Sequence, residues 1–358
     1  MVLVVAVIVL AGVLIVLVAA LLTGRWWQRR AAARRAARVA PVRPLLVQVA
    51  AAEPDDPATQ AVLDQLAALP ARTWAAVEPL VVSLVGKLRG EARGALVSVL
   101  ERRGARERAR RGTHRARPGE RARSAHLLGV LGGADALPRL VALLADRDPE
   151  VRAVAARALG HLADPSAAAP LVRALAAPDA RLPHQEALSA VARTGIASHG
   201  ALLRAADDLD PRVRARAVEA LGLVGAVGAA PRLVTALVED PVAEVRLRAA
   251  RALGRLGSPV ALEPLLAATA GSEPAPLRAT AAQALGALGA RTAVPVLARL
   301  VADPDHWVAH TAAAALLAAG PDGERVLLEL AGRRPAAAAE HAREALAAAG
   351  PGHTTGAR

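Results

Sequence analysis

Apolar residues follow two contrasting patterns along this chain. Residues 2–22, VLVVAVIVLAGVLIVLVAALL, form one unbroken run with sixteen Leu, Ile or Val and no charge or proline. At 1.5 Å per residue, a helix of this length reaches roughly 31 Å, the thickness of a bilayer's hydrocarbon layer. The run therefore predicts a transmembrane anchor over residues 1–23. Further along, apolar residues are spaced for amphipathic helices instead. Val245, Ala249, Leu253 and Leu256 stand at i, i+4, i+8 and i+11, on one helical face.

That second pattern repeats. EVRAVAARALGHLA (150–163) returns as RVRARAVEALGLVG (212–225), EVRLRAARALGRLG (244–257) and PLRATAAQALGALG (276–289), and more weakly as WVAHTAAAALLAAG (307–320). Gly222, Gly254 and Gly286 are 32 residues apart, and Gly129 precedes Gly160 by 31. The 62 residues from Gly160 to Gly222 leave room for a degenerate copy around HQEALSAVARTG (184–195). Six or seven units thus run from about 119 to 350.

Each unit reads as two helices. The first is amphipathic, as in APRLVTALVED (230–240) or AVPVLARLVAD (293–303). A turn follows with Asp148-Pro149, Asp210-Pro211, Asp240-Pro241 or Asp303-Pro304, in which aspartate caps the next helix and proline opens it. An interior glycine costs a helix about 1 kcal/mol against alanine. Its return at Gly254 and its equivalents predicts close approach by a neighbouring helix. Gly225, Gly257 and Gly289 are placed as C-caps. One such hairpin cannot bury its own apolar face, so stability must come from stacking.

The pattern D-P-x-V-R-x-x-A-A-x-A-L-G-x-L-G resembles HEAT repeats, in the short variety also found in bilin lyases, and covers about 230 of 358 residues. The resemblance implies an all-α fold, a right-handed solenoid whose second helices line a concave face, here preceded by one transmembrane helix. It also implies that Arg152, Arg214, Arg246 and Arg278 form a structural ladder with carboxylates of the turns. The last unit has Ala309 in the arginine's place, as an end cap would. Residues 44–118 are expected to be helical but lack the motif, as degenerate repeats or an N-terminal cap. The tail 351–358 is expected to be disordered.

Charge sharpens the first pattern. Arg25, Arg29, Arg30, Arg34, Arg35, Arg38 and Arg43 follow the apolar run, with no acid among them, in a basic juxtamembrane linker over 24–43. Basic residues stay on the cytoplasmic side. A single-pass protein of the bacterial plasma membrane is therefore expected, with its N-terminus outside and residues 24–358 inside. Arg25, Trp26, Trp27, Arg29 and Arg30 are the expected membrane-interface residues, against anionic lipid headgroups. A cleaved secretory leader fits less well, because no basic segment precedes a core longer than the usual 7–15 or so residues. A second block, 101–123, carries ten Arg and three Glu. These two blocks account for the net charge of +13, which leaves the repeats nearly neutral.

Candidate chemistry is sparse. Cysteine is absent, which removes disulfides and thiolate sites, and Phe and Tyr are absent as well. No phosphate-binding loop occurs around the single lysine, Lys87, and LGVLGG (128–133) closes a repeat helix. His306 and His310, four apart near Asp303 and Asp305, have a ligand spacing but no third or fourth ligand in view. His184 and Glu186 lie in the irregular unit. HEAT-like iron hydroxylases carry repeated His-Glu dipeptides, and this chain has none. The expectation is a chain that is not an enzyme, with no cofactor and no metal.

What remains is surface. Projected onto one another, the second helices share a row of Arg157, Ser189, Glu219, Arg251 and Gln283, with Arg216, Arg248 and Thr280 beside it. These positions recur at the repeat spacing yet differ in chemistry, as partner-reading residues do. Arg157, Glu219, Arg251, Gln283, Arg216 and Arg248 are the candidate partner-binding residues. A membrane-anchored scaffold for a membrane-associated protein partner is expected. Similar-looking bacterial membrane proteins with HEAT repeats imply a place in envelope or polysaccharide synthesis. The alternative is a membrane-tethered nucleic-acid binder using 101–123, against which stands the lack of Phe and Tyr for base stacking.

Overall fold

The computed structural model describes residues 22–349, except 24, 28, 31, 35, 52–56, 179–181 and 333–336. All regular structure among the described residues is helical. The chain divides into two compact units, residues 1–112 and 113–358.

The first unit contains α1 (Arg43–Ala51), α2 (Pro57–Ala68), α3 (Ala71–Val85), α4 (Gly90–Arg102) and α5 (Ala105–Gly112). Leu63, Leu66, Trp74, Val77, Val81, Leu96 and Leu100 fill its core. Arg103 lies 4.8 Å over the Trp74 ring and donates to the Ala67 carbonyl. A guanidinium over an indole face is attracted by the ring's quadrupole and covers its apolar surface.

The second unit is the repeat array. First helices are α7 (Ala136–Leu143), α9 (Ala168–Ala176), α11 (His199–Ala205), α13 (Ala230–Glu239), α15 (Leu262–Ala267), α17 (Val294–Leu300) and α19 (Pro321–Ala331). Second helices are α6 (Pro118–Leu131), α8 (Pro149–Leu162), α10 (His184–Arg193), α12 (Pro211–Leu223), α14 (Ala243–Leu256), α16 (Ala275–Leu288), α18 (His306–Ala318) and α20 (Ala337–Ala349). Leu128, Leu140, Leu159, Leu171, Leu221, Leu233, Leu253 and Leu265 are fully buried between the two rows.

Second helices pack directly on second helices, far more closely than first helices pack on first helices. The repeated glycine is the cause. A Cβ built on Gly129, Gly160, Gly222, Gly254 or Gly286 would meet Ala158, Ala190, Ala252, Ala284 or Ala315 of the next second helix at 2.6–2.8 Å. No side chain fits in that space, so the two backbones come together where only glycine permits it. One row is thereby drawn tight and the other left loose. The exception is instructive. Ala192 of α10 occupies the glycine's register, two residues after Ala190, and α10 and α12 touch only slightly.

Turn aspartates divide into two roles. Asp148, Asp210 and Asp305 are N-caps, with carboxylates that accept from helix amides. Asp240 and Asp303, expected as caps, instead take an arginine from the preceding second helix. Arg214 Nε meets Asp240 at 2.8 Å, Arg278 Nη2 meets Asp303 at 2.7 Å, and Arg121 Nη2 meets Asp146 at 2.7 Å. Arg246 reaches Glu273 at 3.4 Å. Each arginine also donates to carbonyls of its own turn, as Arg278 does to Glu273 and Arg152 to Asp146. One guanidinium thereby ties its own turn to the next. Gly257 and Gly289 close their helices at φ 63°, and Ala163 takes the same left-handed place in α8 at φ 51°.

The membrane placement expected of residues 1–23 is corrected. Among the described residues no helix is long and apolar enough to cross a membrane, and residues 2–21 of the apolar run lie outside the described residues. The described residues that follow are too rich in arginine to serve. The single-pass plasma-membrane reading, with its outside N-terminus and cytoplasmic bulk, is therefore not supported by the described residues. With it goes the basis for a lipid role of Arg25, Trp26, Trp27, Arg29 and Arg30. Trp26 and Trp27 are exposed and meet edge to face at 5.6 Å, and Arg30 lies 4.0 Å over Trp26.

Two outcomes follow from this packing. Gly254→Ala should destabilise by about 1–3 kcal/mol through overpacking, against the roughly 1 kcal/mol that helix propensity alone would add. Adding Ala284→Gly should restore part of the loss, as read by urea denaturation. The second outcome concerns acid. Arg121 holds the Asp146 carboxyl below the ordinary aspartate value. Burial alone would raise Asp240 and Asp303, but the hydrogen bonds of Arg214 and Arg278, helped by backbone amides, outweigh it and the net shift is down. Their stabilisation is complete above the unfolded value of about 3.9 and is lost as pH falls below it. Urea midpoints should drop across that window, and less steeply in Asp303→Asn.

Candidate functional site

The face of the second-helix row that points away from the first helices is built by the exposed edges of α6, α8, α10, α12, α14, α16, α18 and α20. The second-helix faces that meet the first helices carry Leu, Val and Ala, so what this face carries is the polar remainder of each second helix. Arg157 and Ser189 stand exposed there on α8 and α10, and Arg251 and Gln283 on α14 and α16. Arg193 and Arg255, not singled out in the sequence, extend the same rows. One groove runs between α8 and α10, lined by Arg157, His161, Glu186, Ser189 and Arg193. Another, of about 500 Å³, runs from Arg251 past Gln283 to Trp307 and His310.

Other members of the expected row are not free surface. Glu219 is buried, 7% exposed, and holds a charge cluster together. It accepts from Arg216 Nη1 at 3.1 Å and from Arg248, which also bonds Glu244. His184 Nε2 stands 3.8 Å from its other oxygen. Burial, and then Arg216, lower the His184 pKa from its ordinary value. Glu219 is thus a tie among α10, α12 and α14 at the position where the glycine contact is missing. Thr280 is buried as well, and its hydroxyl donates to the Pro276 carbonyl.

Charge is distributed in a way that a net count conceals. Carboxylates cluster in the turns, where Asp146, Asp240 and Asp303 are consumed by the arginine ladder. Of the exposed arginines on the second helices, Arg157 and Arg193 share their groove with Glu186. In the basic block 101–123 pairing is extensive. Arg102 pairs with Asp64, Arg106 with Glu101, Arg108 with Glu78, Arg111 with Glu107 and Arg121 with Asp146. With Arg110 on Glu107 and Arg117 on Glu120, seven of its ten arginines are engaged within their own units.

Comparisons with known proteins agree on the architecture. A family model described as HEAT repeats matches residues 112–192, 200–285 and 262–349. No curated protein matches the chain. Among solved structures, the complex of CpcE and CpcF of phycocyanin lyase from Nostoc sp. PCC7120 is similar, at 27% identity over 62% of this chain and 92% of that one, with a TM-score of 0.33. A mutant of Kap121p is similar at 14% identity over 85% of this chain and 39% of that one, with a TM-score of 0.54. Human deoxyhypusine hydroxylase is similar at 22% identity over 79% of this chain and 97% of that one, with a TM-score of 0.31. The expectation that the chain is not an enzyme does not stand, because this kind of fold alone decides neither for nor against catalysis.

Separating tie from surface gives a testable contrast. Glu219→Ala leaves the guanidinium groups of Arg216 and Arg248 short of their carboxylate and should cost about 1–3 kcal/mol. Arg251→Ala and Gln283→Ala, both exposed, should change stability by no more than about 0.5 kcal/mol. Chemical denaturation of the three variants checks both statements.

Proposed function

Because this chain belongs to the HEAT-repeat family, we propose that it is a scaffold whose exposed second-helix face holds an acidic, extended segment of a protein partner. The observation that carries this reading is the set of exposed arginines on three second helices, Arg157 on α8, Arg193 on α10, and Arg251 and Arg255 on α14. Arginine suits the task, since its planar fork takes a carboxylate through two parallel hydrogen bonds. Exposed Trp307 at the end of the larger groove adds an apolar contact. Nucleic-acid binding through 101–123 draws less support, because so many of that block's arginines are already paired.

Fluorescence anisotropy with an Asp/Glu-rich peptide and its Asn/Gln counterpart tests the proposal on the full chain. Binding of the acidic peptide should weaken with salt. It should also fall at least tenfold in Arg157→Glu/Arg251→Glu/Arg255→Glu, while that variant stays folded by circular dichroism. Equal affinity for the two peptides, or an unchanged affinity in the variant, would refute it. A salt-sensitive shift of duplex DNA that survives the triple substitution would favour the nucleic-acid alternative.

A further inference from the structure

The last two second helices bring together a set of ligand-type side chains. His306 and His310 lie one turn apart on α18, and His341 and Glu344 lie at i and i+3 on α20. These spacings put each pair on one helical face, and the two faces are apposed. His310 Nδ1 is 3.5 Å from Glu344 Oε2, and His341 Nδ1 is 3.9 Å from the same oxygen. One ligand atom from each of His310, His341 and Glu344 lies within 4.8 Å of the other two.

A second observation concerns His341 alone. Its ring is buried, 8% exposed, and its Nδ1 has no hydrogen-bond partner among the described residues. A buried polar nitrogen left unpaired is costly. This one is aimed at the point where His310 and Glu344 converge.

We propose that His310, His341 and Glu344 form a binding site for a divalent first-row transition metal ion of the zinc class, joining α20 to α18. Two imidazoles and one carboxylate are a ligand set that such ions take, with further positions left for water or another ligand. Tetrahedral bonds of about 2.0–2.1 Å place ligand atoms about 3.3 Å apart. The observed separations need only a modest contraction. Burial holds His341, while His310 and Glu344 are exposed enough to turn toward it. His306, whose ring lies 4.7 Å from that of His341, flanks the site. Position in the array adds a reason for a link here. Leu317 of α18 stands in the glycine's register, two residues after Ala315, so the close contact that joins earlier second helices is not available to α20.

The test uses the untagged full chain, with Zn2+ for calorimetry and Co2+ for its visible ligand-field bands. One equivalent of metal should bind and raise the melting temperature. His310→Ala and Glu344→Gln should lower the affinity at least tenfold and abolish the thermal shift. His126→Ala, on α6, should retain both. Since His341→Ala removes a buried ring and is prone to unfold α20, the two exposed ligands are the ones to substitute. Failure to bind either ion, or binding unaffected by His310→Ala and Glu344→Gln, would overturn the assignment.

Discussion

Successive second helices of the array meet where a glycine of one lies against an alanine of the next. Gly129, Gly160, Gly222, Gly254 and Gly286 each occupy a space in which a methyl group would come within 2.8 Å of the neighbour. Interiors are packed too densely for such a contact to yield without backbone movement. The glycine therefore sets the distance between second helices, and that stacking decides which side chains share their exposed face. Leucines between the rows supply burial.

Where the glycine is lost, polar groups take over the join. Ala192 replaces it in α10, and there His184, Glu219, Arg216 and Arg248 gather across α10, α12 and α14. Leu317 replaces it in α18, and there His310, His341 and Glu344 converge. Backbone contact of the glycine kind is short-ranged and needs no partner chemistry. Charged and imidazole groups act over a longer gap but must find complementary groups on the facing helix. Both irregular joints have the second solution.

Arginine serves two purposes at different heights of the same helices. Near the start of a second helix, Arg121, Arg214 and Arg278 lie almost buried and fully hydrogen-bonded between two turns. Loss of either partner there would strand a buried charge. One or more turns further on, Arg157 and Arg251 are exposed and answer to no structural need. Residue type alone does not separate these roles, because the difference lies in which carboxylates come within reach.

Much of the architecture could be read directly from the chain. Hairpin length, helix boundaries at Asp-Pro and Gly, and the glycine register are all local or periodic features, and a repeating fold writes them several times over. The apolar run at residues 2–22 was equally plain as composition, but residues 2–21 lie outside the described residues and no described helix is long and apolar enough to cross a membrane. Folding in three dimensions decided the rest. It buried Glu219 while leaving Arg251 exposed on the same row, and it paired the basic block with acids up to 38 residues away. It also set His341 and Glu344 beside a histidine roughly 30 residues earlier. Such meetings depend on how one hairpin is stacked against the next, and a linear count of charges or ligands carries no information about that stacking.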